Sequence, residues 1–308
     1  MSLLYKADPQ RGAQWQRLMA TKAPDLPVHV WPETGDAAAV RYIAVWTPPD
    51  AMMERFPNVE IVFSVGAGVD QLDLARLPAH VPVVRMLDPA IGRGMVEYTT
   101  LAVLALHRNL VDYVADKNAQ AWAPVNLVPA ASRRVGIMGL GQLGEAVLHA
   151  LANFGFSLSG WSRSPRTIGG VTCYCGDAAL TDFAGACDIL ICLLPLTDAT
   201  RGILGRDLFE KLPRGAAIVN VGRGGHLVQD DLLAALASGH ISAAVLDVTD
   251  PEPLPKDHPL WAHPRVLITP HVASMTQPET AVEFVLETIH RHKAGLPLRG
   301  LVDRSRGY

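Results

Sequence analysis

Three polar side chains, each in a short motif, have the chemistry to bind and protonate an anionic carbonyl compound. They are Arg223 in NVGRGG, Glu252 in DPEPLP and His271 in TPHVAS. A guanidinium can hold a carboxylate, or a carboxylate together with a carbonyl, in fork geometry. An imidazolium can protonate a carbonyl oxygen, and an ionised carboxylate beside it favours the charged ring and orients it. Taken singly, Arg223 could pair with a surface acid, Glu252 could be an exposed loop charge and His271 could be a capped or core histidine.

The three motifs follow apolar runs that predict strands. Arg223 comes just after AAIVNV, Glu252 comes shortly after AAVLDV, and His271 follows VLIT. Ligands of open parallel sheets bind beyond the carboxyl ends of the strands. We therefore expect the three side chains to share one rim of a parallel sheet.

A glycine-rich loop predicts a nucleotide site beside that rim. GLGQLG follows the apolar residues 135–138 and opens an amphipathic helix pattern. In a G-x-G-x-x-G loop the glycines permit a tight turn, close approach to a pyrophosphate and close helix–strand packing, while helix N-terminal amides face the anion. The predicted dinucleotide contacts are Gly139, Leu140, Gly141, Gln142, Leu143 and Gly144. With the arginine, glutamate and histidine, this loop suits hydride transfer to a 2-oxo acid, and no metal is needed.

The stretch WSRSPR predicts which nucleotide is bound. Arg163 lies 19 residues after Gly144 (163 − 144), where an acidic residue would hold the ribose hydroxyls of NAD. Guanidinium and hydroxyl groups would instead bind a 2′-phosphate. We therefore expect NADPH, held by Trp161, Ser162, Arg163, Ser164 and Arg166. The alternative is a solvated basic loop.

Two series of alternating strand and helix patterns predict an α/β protein with two doubly wound parallel sheets. A long helix pattern over residues 95–117 lies between the series, as a hinge or as packing for a partner subunit. The last helix, Pro278–Lys293, is expected to return to the first domain. We expect a flavodoxin-like substrate domain of residues 1–95 and 275–308, a Rossmann NADP-binding domain of residues 96–274, and a cleft between them.

Bulk properties exclude several classes of function. The net charge of −3 over 308 residues gives no basic field for nucleic acid. The apolar runs are too short for a membrane helix, and the start MSLLYKADPQ lacks a signal peptide's apolar core. The four cysteines, including the C-x-C pair Cys173 and Cys175, are expected to be reduced thiols of a cytoplasmic protein rather than metal ligands.

Taken together, the motifs resemble those of the D-isomer-specific 2-hydroxyacid dehydrogenase family. GLGQLG, NVGRGG, VLDV followed by DPEPLP, and TPHVAS occur in that family's order, and the resemblance covers essentially the whole chain. VWTPP, GAGVD, WSRS, DDLLAAL, PLW and the ending VDRSRGY are most similar to a branch of glyoxylate/hydroxypyruvate reductases. That branch is NADPH-linked and dimeric, so the resemblance implies a homodimer.

The resemblance also implies roles for matching residues. Arg223, Glu252 and His271 would be the catalytic residues, and Arg223 and His271 would contact the substrate. The amides of Ala67 and Gly68 in GAGVD would hold the substrate carboxylate, and Trp46 in VWTPP would be a wall of the substrate site. Asp247 would bind the nicotinamide amide, and Leu194, Pro195, Val221 and Gly222 would lie along the cofactor.

Some of these residues also have plainer interpretations. GAGVD could be an ordinary strand-to-helix turn, and Trp46 could simply be half-buried. Arg85 and Arg93 could add positive charge to the cleft or could be solvated.

The expected activity is NADPH-dependent reduction of small 2-oxo acids, with His271 as proton donor: glyoxylate to glycolate, and hydroxypyruvate to D-glycerate. The alternatives are a reductase of bulkier 2-oxo acids such as phenylpyruvate, and a non-catalytic regulator that senses a dinucleotide.

Overall fold

The computed structural model describes residues 1–304. The last four residues of VDRSRGY therefore lie outside the described residues. The strands are β1 Ser2–Lys6, β2 Val28–Val30, β3 Val40–Val45, β4 Ile61–Ser64, β5 Val83–Val84, β6 Arg134–Met138, β7 Ser157–Ser162, β8 Val171–Cys175, β9 Ile189–Cys192, β10 Ala216–Asn220, β11 Ile241–Leu246 and β12 Val266–Ile268. The α-helices are α1 Pro9–Lys22, α2 Met52–Arg55, α3 Pro89–His107, α4 Leu110–Asn118, α5 Gln142–Ala152, α6 Leu180–Gly185, α7 Arg206–Phe209, α8 Gln229–Ala237 and α9 Pro278–Lys293.

The chain divides into two compact units. The first combines Met1–Ile91 with Met275–Tyr308, and the second is the continuous stretch Gly92–Ser274. The first division falls inside α3, four residues before the position that the sequence suggests (95 − 91). The names substrate domain and NADP-binding domain stay predictions.

The first unit is built on a five-stranded parallel sheet in the order β2-β1-β3-β4-β5. Helix α9 belongs to this unit, and its Glu283 carboxylate accepts a hydrogen bond from the Lys22 ammonium of α1 at 2.7 Å. After α9 the chain reaches the edge strand, where the Val302 amide donates to the Val83 carbonyl at 2.9 Å. Both ends of the sequence therefore form the first unit.

The second unit is built on a seven-stranded parallel sheet in the order β12-β11-β10-β9-β6-β7-β8. Its central strands are apolar on both faces; for example, all four residues of β9 are buried. Continuous apolar runs are typical of parallel strands that are covered by helices on both sides. The α/β class with two doubly wound parallel sheets is confirmed.

The expected single helix over residues 95–117 is wrong in its bounds and its continuity. Helix α3 starts at Pro89 and ends at His107, and α4 follows from Leu110. Asn109 stands between them in the left-handed conformation, with φ 57°. Asparagine tolerates this conformation better than most residues, so the chain can turn here while the apolar periodicity continues.

Candidate active site

Glu252 and His271 form an ion pair at the carboxyl end of the seven-stranded sheet. His271 follows β12 by three residues and Glu252 follows β11 by six, and these strands are neighbours. The His271 Nδ1 atom lies 2.9 Å from the Glu252 Oε2 atom. The other carboxylate oxygen accepts the amide N–H of Thr249 at 3.1 Å. This pairing orients the ring, with its Nδ1 atom towards Glu252.

The surroundings of Glu252 keep its carboxylate ionised. Partial burial by itself would raise the pKa of Glu252. The hydrogen bond and the charge of His271, the Thr249 amide and the positive charge of Arg223 act in the other direction and prevail, so that the pKa is lowered. Since Arg223 contributes to this shift, its charge lies near the ion pair, and the structure brings the three predicted side chains to one rim.

The backbone of His271 is in an uncommon conformation. Its φ is 55°, in the left-handed region that non-glycine residues rarely occupy. The His271 amide donates to the carbonyl oxygens of Asp247, at 2.8 Å, and of Thr269, at 3.0 Å. Such a conformation persists only where neighbouring contacts determine it, and it is concentrated at functional sites.

The side chain of Asp247 supplies those contacts. One carboxylate oxygen accepts the hydroxyl of Thr269 at 2.6 Å and the amide of Val272 at 2.9 Å, and the other accepts the amide of Ala273 at 2.8 Å. Asp247 is almost completely buried, and burial raises its pKa although these three bonds and the charge of His271 oppose the rise. The carboxylate predicted to bind nicotinamide thus holds the turn that carries His271.

The main chain of Arg223 is held on both sides by buried side chains. Arg223 follows β10 by three residues, and β10 is the neighbour of β11. The Asn220 amide group donates to the Arg223 carbonyl at 3.0 Å, and the Arg223 amide donates to the His226 Nδ1 atom at 3.1 Å. Both Asn220 and His226 are fully buried. One guanidinium nitrogen donates to the Gly222 carbonyl at 2.8 Å.

The glycine loop has the geometry that a pyrophosphate requires. It joins β6 to α5, and Gly139 turns the chain with φ 111°. A side chain on Gly144 would collide with the Gly139 carbonyl oxygen. Within residues 1–304, no heavy atom outside Gly141 and its two chain neighbours lies within 4 Å of the place that a Cβ on Gly141 would take. The loop is therefore open beside Gly141, at the N-terminus of α5, and the residues present fit a dinucleotide phosphate.

The loop after β7 presents basic side chains at the surface. Arg163 and Arg166 are exposed, and the Ser162 hydroxyl donates to the Ser164 carbonyl at 2.7 Å, which closes the turn. Trp161 differs from the others, because its side chain is buried and its indole N–H donates to the Gly176 carbonyl at 2.9 Å. Its carbonyl accepts the Gly139 amide of the glycine loop at 2.9 Å.

The remaining predicted cofactor residues follow two strands near the glycine loop. Leu194 and Pro195 come after β9, the neighbour of β6, and Val221 and Gly222 come directly after β10. The chain continues from β6 to β7 on one side and from β9 to β10 on the other. The order of strands thus reverses between β6 and β9, where doubly wound sheets bind their ligands.

The substrate residues predicted in the first unit lie after β3 and β4. The Ser64 hydroxyl donates to the Gly68 carbonyl at 2.6 Å and accepts the Gly66 amide at 3.3 Å. Within the described part of the chain, the amides of Ala67 and Gly68 donate no hydrogen bond. Trp46 is partly exposed, and a Cβ on Gly66 would lie 2.9 Å from its ring. The substrate roles of Trp46, Ala67 and Gly68 stay predictions.

Residues 1–304 contain neither a cluster of metal ligands nor a membrane-spanning helix. No three histidine, cysteine, aspartate or glutamate side chains are grouped so that they could hold a metal ion. None of the helices combines the length and the apolar character needed to cross a bilayer.

Comparisons with known proteins match this arrangement. Residues 100–273 match the family model described as D-isomer specific 2-hydroxyacid dehydrogenase, NAD binding domain. Over the full length of both chains, the sequence is 42% identical to glyoxylate/hydroxypyruvate reductase A of Yersinia enterocolitica. The chain belongs to the D-isomer specific 2-hydroxyacid dehydrogenase family.

Two solved structures resemble this dehydrogenase along its whole length. A family member from Xanthobacter autotrophicus, in complex with NADPH and MES, is 40% identical with a TM-score of 0.93, covering 100% of this chain and 99% of that one. An NADPH-dependent glyoxylate/hydroxypyruvate reductase from Sinorhizobium meliloti, in complex with NADP and sulfate, is 36% identical with a TM-score of 0.92, covering 100% of both chains.

Four residues that hydrogen-bond to the candidate site of the dehydrogenase were not predicted from the sequence. Asn220 and Thr269 open the motifs NVGRGG and TPHVAS, and a polar residue at the end of a buried strand is a usable signal because it needs a partner. His226 stands three residues after Arg223. Tyr98 of α3 gives no local signal, since its hydroxyl pairs with the Thr269 hydroxyl across 171 residues of sequence, at 2.5 Å.

We expect Glu252→Gln to lower kcat by about 10- to 100-fold, since a positioned proton donor contributes about 100-fold or more. Glutamine keeps an acceptor for Nδ1 but removes the charge that stabilises the imidazolium. The pKa of Glu252 is lowered, so the wild-type carboxylate is ionised at every pH above the usual pKa range of a glutamate. It becomes protonated only as the pH falls through the lowered pKa. The loss in kcat should therefore be present throughout pH 5.5–8 (about the range in which histidine titrates).

The control for this change is Asp250→Asn, which alters an exposed carboxylate two residues away. Steady-state rates of both variants across that pH range test the expectation. A kcat for Glu252→Gln equal to that of the wild type would show that the ion pair does not assist proton transfer.

We expect Asp247→Asn to disturb the His271 turn, because an amide NH₂ would face one of the N–H or O–H donors. A misplaced catalytic group costs on the order of 100-fold in rate. The expected result is a lower kcat at saturating cofactor with an unchanged cofactor Kd, measured by protein fluorescence. A raised cofactor Kd with normal kcat would instead favour the predicted nicotinamide contact. Asp257→Asn, on the exposed loop after β11, is the control.

Proposed function

We propose that this dehydrogenase reduces small 2-oxo acids with NADPH, converting glyoxylate to glycolate and hydroxypyruvate to D-glycerate. The observation that carries the proposal is the His271–Glu252 ion pair with Arg223 nearby, on the rim of the sheet whose strand β6 leads into the glycine loop. That combination provides an anion anchor and a proton donor beside a dinucleotide loop. A regulator that only senses a dinucleotide would need neither.

The residues act as follows. The Arg223 guanidinium binds the carboxylate of the substrate and turns its carbonyl oxygen towards His271. When bound, reduced nicotinamide supplies the hydride that the carbonyl carbon accepts. The His271 Nε2–H gives its proton to the carbonyl oxygen, which yields the alcohol and leaves a neutral imidazole. The Glu252 carboxylate keeps the Nδ1–H in place and stabilises the ring while it is charged.

The choice of NADPH is supported by the loop after β7. Ser162, Arg163, Ser164 and Arg166 offer hydroxyl and guanidinium groups and no carboxylate where the ribose is expected. The similar proteins from Xanthobacter autotrophicus and Sinorhizobium meliloti were crystallised with NADPH and NADP. The glycine loop and the N-terminus of α5 would hold the pyrophosphate.

The direct test is an assay of NADPH oxidation with glyoxylate, hydroxypyruvate and phenylpyruvate. We expect the two small acids to give the higher kcat/KM, and His271→Ala to lower kcat by at least about 100-fold. A preference for phenylpyruvate would support the bulkier substrate class. An absence of turnover with every 2-oxo acid, together with tight NADPH binding, would support the sensor.

We expect Arg163→Ala to reduce the preference for NADPH over NADH by about 10- to 150-fold, because a hydrogen bond to a charged group contributes about 1.5–3 kcal/mol. The change should appear in the KM for NADPH and leave the KM for NADH near its original value. Arg206→Ala, which removes an exposed arginine of α7, is the control. Equal NADPH affinity in Arg163→Ala and the wild type would rule out a phosphate contact.

We also propose that the enzyme is a cytoplasmic homodimer. All four cysteines are free thiols, as expected in a reducing compartment. The segment after α4 exposes large apolar side chains, and Trp122 is 95% exposed. Apolar surface of this kind is typical of subunit interfaces. Other exposed apolar residues on the segment or on α3 and α4 are Leu101, Leu110, Val114, Val125, Leu127 and Val128.

Light scattering should give twice the mass of one chain for the wild type. We expect the double variant Trp122→Ser, Leu127→Ser to shift the equilibrium towards monomer at micromolar concentration. Phe154→Ser, which removes an exposed aromatic ring outside the segment, should remain dimeric. A monomeric wild type would refute the homodimer.

A further inference from the structure

His226 connects the loop of Arg223 to the segment that follows β9. It closes the one-turn 3₁₀ helix Gly224–His226, three residues after Arg223, and its side chain is fully buried. Its Nδ1 atom lies 3.1 Å from the Arg223 amide nitrogen, and its Nε2 atom lies 3.3 Å from the Pro195 carbonyl oxygen. One imidazole therefore contacts the two loops through its two nitrogen atoms.

The partners of His226 determine where its proton is. A backbone N–H can only donate, so the Nδ1 atom facing Arg223 must be the unprotonated acceptor. A backbone carbonyl can only accept, so the Nε2 atom facing Pro195 must carry the hydrogen. The contacts of the ring thus require the neutral Nε2–H tautomer. A proton on Nδ1 would place the N–H group of the ring opposite the N–H group of Arg223, and no hydrogen bond could form between them.

The packing around the ring leaves little room for another position. A Cβ on Gly222 would lie 3.0 Å from two ring atoms of His226 and 3.2 Å from the Leu194 carbonyl oxygen. Gly222 therefore allows the ring to lie against the backbone of the motif. On the other side of Arg223, Asn220 donates to its carbonyl at 3.0 Å and accepts the Gly222 amide at 3.2 Å.

We propose that His226 is a positioning residue for Arg223: its neutral ring holds the Arg223 amide and fixes that loop to the Pro195 carbonyl. The main chain of Arg223 is extended, with φ −140° and ψ 151°, and has a side-chain partner on its N–H and on its C=O. The Asn220 contact alone leaves the N–H side undetermined. His226 therefore sets the direction in which the guanidinium leaves the backbone. This proposal rests on the proposed function, in which Arg223 binds the substrate carboxylate.

Three substitutions separate the two contacts of the ring. His226→Asn places an acceptor where Nδ1 was and loses the contact with Pro195. His226→Gln can reach Pro195 with a donor and loses the Nδ1 acceptor. His226→Leu removes both contacts and fills a similar volume. We expect the KM for the 2-oxo acid to rise about 10- to 100-fold in the glutamine and leucine variants, as for a misplaced binding group. The asparagine variant keeps the acceptor for the Arg223 amide but no longer anchors it to Pro195, so its KM should rise by a smaller factor.

A double-mutant cycle with Arg223→Ala distinguishes positioning from general support of the fold. The readout is the Kd of oxalate, a small dicarboxylate used as a probe of the anion site, for enzyme saturated with NADP. His226→Leu should weaken oxalate binding in the wild-type background and have no further effect once the guanidinium is gone. A residue that only stabilises the fold would weaken binding by the same factor in both backgrounds, and that result would overturn the proposal.

Two further measurements keep the outcomes apart. The ¹⁵N–¹H imidazole spectrum should contain an Nε2–H signal that disappears in His226→Asn, and a signal of the Nδ1–H tautomer would overturn the proposal whether or not the enzyme turns over. If the wild type reduces no 2-oxo acid and binds no oxalate, the proposed function fails. If the wild type is active and His226→Leu matches it in KM and in oxalate Kd, the positioning role fails alone.

Discussion

Hydrogen bonding to the buried carboxylate of Asp247 is the interaction on which the His271 turn depends. The carboxylate accepts hydrogen bonds from the Thr269 hydroxyl and from the amides of Val272 and Ala273. The backbone carbonyl of Asp247 accepts a fourth hydrogen bond, from the amide of His271. These four bonds hold His271 in a left-handed conformation that has a free-energy cost for a residue with a side chain. Without that turn, the imidazole would not face Glu252, and its protonated state would lose the charge that stabilises it.

The order of strands explains how residues distant in sequence meet at this turn. β10, β11 and β12 are neighbours in the sheet, and Arg223, Glu252 and His271 follow them in the same order. The glycine loop follows β6, and its neighbour β9 leads to Leu194 and Pro195. Because all the strands are parallel, their carboxyl ends lie on one edge, so one sheet can present both a cofactor loop and proton-transfer chemistry.

Local signals predicted most of the architecture and indicated the residues of the candidate site. Apolar runs located the strands, and glycine spacing located the loop between β6 and α5. Contacts between distant residues left weaker signals. The break at Asn109 is hidden by continuous apolar periodicity, and the buried indole of Trp161 donates to Gly176, the residue that follows β8. His226 gives no local signal in the sequence, because its contact with Pro195 spans 31 residues.

The composition of the first unit from both ends of the sequence has a consequence for biosynthesis. The second unit is the continuous stretch Gly92–Ser274, so all of its residues are synthesised before α9 is translated. The first unit is completed only after α9 and the residues that follow it are translated. Lys22 of α1 pairs with Glu283 of α9, and the Val83 carbonyl of β5 accepts a hydrogen bond from the Val302 amide. Its amino-terminal strands are therefore the part of the nascent polypeptide exposed longest without a complete core, which is where chaperones would be needed most.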